Sequence, residues 1–167
     1  MASKASIKDL LTDEIKDLYS AEKQLTRAIP RMAKASNTPE LQEIFKAHLE
    51  ETKNQVSRLE EVARLLETKP TGKKCMGMEG VIQEGAEAME EDGEETILDL
   101  GLIGAGSRVE HYEISGYLTC ISLAKRMGNS EVVTLLQQSL AEEEGAEQKL
   151  RKMASALLKR AERQPQA

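Results

Sequence analysis

The chain of 167 residues has no tryptophan, one phenylalanine and three tyrosines, an aromatic content of 2%. A strand-rich core draws on aromatic and β-branched side chains, so this scarcity speaks for helices packed with Leu, Ile, Ala and Met. Proline is scarce too, with four in all, which leaves long stretches free of helix breakers. The two cysteines, Cys75 and Cys120, lack metal-ligand spacing and are too few for a disulfide framework. Basic charge is in deficit: 23 Lys and Arg against 29 Asp and Glu give a net charge of −6 and a pI near 5.2. That balance argues against sequence-independent nucleic-acid binding. No apolar run is long enough to span a membrane. The first 17 residues carry Asp9, Asp13, Glu14 and Asp17, unlike a secretory signal. The expectation is one cytoplasmic domain with neither nucleic acid nor membrane as partner.

What the chain does have is helical periodicity, sustained over four long stretches. With 40% hydrophobic residues it has enough apolar material for a core at this length. The first helix is predicted from Ser6 to Lys34 on a stripe of Leu11, Ile15, Leu18, Leu25, Ile29 and Met32. Pro30 should bend or weaken its last turn. Thr38-Pro39 offers an N-cap and a first-turn proline for a second helix reaching Glu67. The stretch Thr68 to Asp92 holds a linker, Lys69 to Lys74, and a short amphipathic helix, Met78 to Glu91. A third long helix follows from Glu94 to Met127, then a tight turn at Gly128-Asn129-Ser130, then a fourth from Glu131 to Arg160. Two hairpins joined by a crossover of this length have the topology of a ferritin-like four-helix bundle. The bundle is placed over residues 6–161, with 162–167 as a polar tail.

The gaps in the apolar stripes carry the functional argument. In the first helix the step from Leu18 to Leu25 passes through Glu22. In the second, His48 and Gln55 fall on the stripe, with Glu51 one turn from His48. The third stripe carries Glu110 and Glu113, and the fourth carries Glu143 and Glu147. No Lys or Arg falls on any of the four. Buried carboxylates without basic partners must be neutralised by protons or by metal cations. Two divalent ions satisfy the charge, which is the logic of di-iron and di-manganese bundles. Spacing adds a second hint. Glu22 to Glu51 spans 29 residues and Glu113 to Glu143 spans 30, so the hairpins look like pseudo-symmetric halves. A single Glu on a stripe is commonly a solvated residue at its edge, and a core-facing His is commonly satisfied by a neighbour such as Gln55. The metal reading rests on four helices showing the same anomaly at compatible depth.

Other features read as structure. Met76, Met78 and Met89 look like packing of the crossover helix, and Cys120 like an inert core thiol. Gly101, Gly104 and Gly106 either allow close helix approach or lower local stability. The acidic run Glu90 to Glu95 reads as a solvated turn and helix start. Ile7, Ile44, Ile97 and Ile121 lie off the main stripes and suggest apolar outer faces.

Several segments together make a specific signature: Tyr19 to Leu25 (YSAEKQL), His48 to Thr52 (HLEET), Met78-Glu79-Gly80, Val109 to Ile114 (VEHYEI) and Glu142-Glu143. On these the chain resembles the YciF/YciE family of bacterial stress-response proteins in the ferritin-like superfamily, over residues 6 to 158. The resemblance implies a four-helix bundle, a dinuclear iron or manganese centre and a tendency to form homodimers. It carries ligand roles onto Glu22, His48, Glu51, Glu110, Glu113 and Glu143, with Glu147 added from the stripe pattern. One departure stands out. The Glu-x-x-His pair of the wider superfamily is absent from both second helices, since Glu51 is followed at that spacing by Asn54 and Glu144 by Glu147. His111 points about 100° away from Glu110 on an ideal helix. The expected chemistry is reaction with peroxide or oxygen, or oxidation of ferrous iron, under stress. The alternative is a non-enzymatic helical stress protein that works through oligomer or partner interfaces.

Overall fold

The computed structural model describes residues 6–162, and the tail expected over 162–167 lies outside them but for Glu162. Five helices follow in order: α1 (Ile7–Ala35), α2 (Pro39–Leu65), α3 (Met76–Met89), α4 (Glu95–Arg126) and α5 (Ser130–Ala161). Among the described residues there is no strand and no helix long and apolar enough to cross a membrane. The starts follow local chemistry. Ser6 Oγ accepts from Asp9 N, the Glu94 carboxylate from Ile97 N, and Asn129 Oδ1 from Val132 N. Gly128, at φ +73°, supplies the left-handed residue that closes α4 ahead of the turn into α5. Pro30 does not end its helix. It lies exposed on α1, where water can meet the carbonyl it leaves unpaired, and the helix runs on to Ala35.

The α1–α2 and α4–α5 hairpins pack into a bundle in which α1 lies antiparallel to α4 and α2 to α5. Leu11, Ile15 and Leu18 share a core with Tyr117, Cys120 and Ala124, whereas Leu25 and Ile29 share one with Ile103 and Val109. These two apolar clusters occupy opposite ends of the bundle. Between them lies a layer of polar side chains. Of Gly101, Gly104 and Gly106, only Gly106 marks a close helix approach: a Cβ there would stand 3.1 Å from Leu150 Cδ1 and 3.3 Å from Phe45 Cε1, though Gly116 further along α4 is tighter, at 2.7 Å from Leu18 Cδ2. Gly101 meets nothing within 4 Å, so it serves no packing role.

The crossover helix begins two residues earlier than expected and packs against α4 and α1. Met78 is fully buried there and Met76 is exposed. Cys75 ties its start down. Its N–H donates to Ser20 Oγ at 2.9 Å and its carbonyl accepts from Gln24 Nε2 at 3.0 Å. Its sulfur lies 2.9 Å from Asp17 Oδ2 and 3.0 Å from the Tyr112 hydroxyl. Burial and the neighbouring Asp17 push the Cys75 thiol up, and burial does the same to Cys120. Both thiols are free, as expected.

Two expectations about the loops and faces need correction. Thr38 takes the N-cap position of α2, but its side chain makes no capping bond. Instead Asp99, fully buried on α4, accepts from Asn37 N at 2.8 Å and from Thr38 N at 2.7 Å. Of the outer apolar residues, Ile121 is buried in one apolar cluster and Ile44 packs against the other. Ile7 and Ile97 remain 40% and 57% exposed.

Candidate metal centre

The polar layer is where the gaps in the stripes meet. Glu22, His48, Glu110, Glu113 and Glu143 are all buried, none exposed by more than 3%. Donor atoms of His48, Glu110, Glu113 and Glu143 lie within 4.8 Å of one another. His48 Nε2 is 3.2 Å from Glu110 Oε1 and 3.7 Å from Glu143 Oε2. Glu22 enters from α1. Its Oε1 accepts a short hydrogen bond from the Tyr117 hydroxyl, and its carboxylate adjoins that of Glu113.

The helices hold these acids at a cost. Glu22 Oε2, Glu110 Oε2 and both oxygens of Glu113 and of Glu143 are buried without a hydrogen-bond partner, as is His48 Nε2. Folded proteins seldom leave such groups orphaned. Burial, then mutual repulsion, raises the carboxyls of Glu22, Glu110 and Glu113 well above the usual range. Burial also raises Glu143, against the pull of Glu110 and His48. Tyr117 is pushed up by burial and by Glu22, so its hydroxyl keeps its proton and donates.

Glu51 and Glu147 stand differently. Glu51 Oε2 is 3.3 Å from His48 Nδ1, while its Oε1 takes a hydrogen bond from Lys149 at 3.2 Å. Those bonds hold its carboxyl below the usual range, His48 having the larger effect. Glu147 Oε1 faces Arg151 Nε at 2.5 Å and His111 Nε2 at 3.3 Å, and its Oε2 accepts from Ser107 at 2.7 Å. Burial works to raise Glu147, but Arg151 and Ser107 outweigh it and lower its carboxyl. Both acids thus have cations of their own, supplied by long side chains that reach in from the flanks of the stripes.

Gln55 does not satisfy His48, the alternative that spacing left open. Its Nε2 donates to Glu142 Oε2 at 3.1 Å, and its Oε1 is left buried and unpartnered. Glu142 is also gripped by Arg58 through two bonds of 2.7 and 2.6 Å. Two of the ion pairs that cross between α2 and α5 are reciprocal, Glu51 with Lys149 and Arg58 with Glu142. Glu22 and Glu113, Glu51 and Glu142, and Arg58 and Lys149 are each 91 positions apart. Periodicity places Tyr117 on the α4 stripe without giving its hydroxyl a partner, and it passes over Arg58 and Asp99. Tyr117 touches Glu22, Arg58 holds Glu142 beside the site, and Asp99 fixes the α1–α2 loop to α4.

If ionised, the four carboxylates of the polar layer, Glu22, Glu110, Glu113 and Glu143, would carry four negative charges against no buried Lys or Arg among the described residues. Carboxylate oxygens with one imidazole form a donor set of the kind that suits iron or manganese. The orphaned atoms point to the same fit.

Comparison with known proteins agrees with this architecture. A family model described as a domain of unknown function (DUF892) matches residues 6–162. The protein YciF of Escherichia coli (strain K12) is 39% identical over 150 residues, covering 89% of this chain and 90% of its own. The crystal structure of the E. coli stress protein YciF superposes with a TM-score of 0.90 at 38% identity, over 93% of this chain and 98% of that one. YcfI from Rhodopseudomonas palustris gives a TM-score of 0.86 at 36% identity, over 90% and 98%. With its fold, a ferritin-like helical bundle, and its sequence matched along nearly the whole length, the chain belongs to the DUF892 family and is a YciF-like protein.

Proposed function

We propose that the polar layer is a dinuclear metal centre held by Glu22, His48, Glu110, Glu113 and Glu143, and that the protein acts on peroxide, oxygen or ferrous iron under stress. The observation that carries this reading is the set of orphaned atoms on these five residues, buried and facing one another. Two divalent cations neutralise the four unpaired carboxylates, whereas Glu51 and Glu147 already have Lys149 and Arg151. A pair of iron or manganese ions bound there would supply the two electrons that peroxide removal takes. The chain itself contributes orientation and exclusion of water. Tyr117 fixes one oxygen of Glu22, Glu51 fixes the Nδ1 side of His48, and the apolar clusters at both ends keep solvent out. The expected result is close to two equivalents of iron or manganese by elemental analysis of protein purified without added metal. Glu143→Gln should lose most of that metal while retaining the helical circular dichroism spectrum. Metal-free wild-type protein that also fails to take up iron or manganese on titration would sink the reading.

We also propose that the protein is a homodimer in solution. The support is the exposed apolar side chains of Ile97 and Leu118 on α4, at 57% and 48%, together with Ile7 on α1. Light scattering at micromolar concentration should give twice the chain mass of 18.5 kDa. A clean monomer there would count against it.

A further inference from the structure

A buried metal centre needs a way in. The acids and the histidine of the polar layer are closed off from solvent, so a hydrated cation must first meet a residue that touches both sides. Three acids lie next to the buried set and reach its edge: Glu51, Glu142 and Glu147. Each is held by a cation, but not equally. Glu142 is locked by two short bonds from Arg58 and a third from Gln55. Glu147 is held by Arg151 at 2.5 Å and Ser107 at 2.7 Å, with His111 alongside at 3.3 Å. Glu51 has a single cation partner, Lys149, at 3.2 Å, and that lysine is 46% exposed. The Glu51 side chain is itself 27% exposed, and its other oxygen lies 3.3 Å from His48 Nδ1.

From this juxtaposition we infer that Glu51 is the port through which divalent cations reach the centre, with Lys149 as its latch. An incoming cation displaces the Lys149 ammonium from Glu51, which is a change of partner for one exposed, flexible side chain. The carboxylate then holds the ion beside the imidazole of His48, whose far nitrogen faces Glu110 and Glu143. The α2–α5 face is open to this traffic because the crossover helix covers α1 and α4 instead. Glu51 is on this view a transit ligand, which sets how fast the centre fills and not how many ions it holds. The inference rests on the metal-centre reading above.

The protein has no tryptophan, so tyrosine emission, with Tyr117 beside Glu22, reports Co²⁺ arriving at the site in a stopped-flow experiment. Lys149→Gln is expected to speed filling at least about threefold, and Glu51→Gln to slow it about tenfold, as loss of a steering charge does. Both variants should keep the wild-type Co²⁺ stoichiometry at equilibrium. Glu51→Gln retains an oxygen that can accept from His48, so it tests charge and not folding. Lys53→Gln makes the same change of charge as Lys149→Gln, on a lysine paired with exposed Glu50, and should leave the rate unchanged. An unaltered rate in Lys149→Gln, or the loss of a bound ion in Glu51→Gln, overturns the port and leaves the metal centre standing. If the wild-type protein takes up no Co²⁺ and no iron or manganese, the metal centre falls and the port with it.

Discussion

Stripped of metal at pH 7, the Glu113→Gln protein is expected to be more stable than the wild-type protein by about 2–4 kcal/mol. Glu113 is fully buried, both its oxygens lack partners, and burial and repulsion from Glu22 and Glu143 push its carboxyl well up. The native state therefore binds protons more tightly than the unfolded chain, whose glutamates titrate near about 4.3. Stability from such a group is fully present below that unfolded value and is lost as pH rises toward the native one. The metal-free wild-type protein should weaken steadily above about pH 4.5, and the Gln variant less so. Near pH 4 the two should melt together. Loaded protein should behave in the opposite sense, because cations bind the deprotonated carboxylates and so stabilise the fold more as pH rises. Thermal melts from pH 4 to 8, with and without chelator, test this. Superimposable metal-free curves at pH 7 would mean that Glu113 is already compensated in some other way.

Replacement of Asp99 by alanine should cost about 2–4 kcal/mol, one of the larger losses available outside the apolar core. The side chain is fully buried and accepts from two consecutive backbone N–H groups, Asn37 and Thr38, in the loop between α1 and α2. Removing it leaves both donors without their acceptor and frees the α1–α2 loop from α4. Asp99→Asn should be intermediate, since its amide can still accept through one oxygen but sets N–H against N–H at the other position. The metal content of both variants should match wild type at a temperature where they are folded. Urea denaturation measures the cost, and a loss under 1 kcal/mol in the alanine variant would contradict this account.

The two predictions differ in how far the sequence foretold them. Glu113 announced itself because an acid at a core position of a 3.6-residue period has no ordinary reason to be there. The same logic located Glu22, His48, Glu110 and Glu143, and the order of hairpin, crossover, hairpin located the bundle. Asp99 was hidden. It sits five residues into an acidic helix start, where a carboxylate is expected for local reasons, and its partners are 61 and 62 residues away in sequence. Glu51, beside its stripe, and Glu147, at the edge of its own, count with the other acids because a stripe assigns each side chain only to its own helical position. Lys149 and Arg151 lie off the stripes, yet their long stems carry charge around the helix to the acids. Tyr117 falls on the α4 stripe, but only the fold sets its hydroxyl on Glu22. The path of the crossover helix depends on where Met78 and Cys75 find room between α1 and α4, which no local pattern specifies.

The constant offset of 91 positions that relates Glu22 to Glu113, Glu51 to Glu142 and Arg58 to Lys149 has an evolutionary reading. It is the trace that duplication and fusion of one ancestral helical hairpin would leave, with two identical copies once assembled face to face about a twofold axis. In such an ancestor the crossed ion pairs were one contact made twice. The halves do not match throughout: the position 91 residues after His48 is Ser139, buried and hydrogen-bonded to Arg58. The interior is therefore asymmetric at three positions, since Glu110 and Glu143 correspond in the same way to Tyr19 and Thr52, and nothing requires the two sides to do the same work.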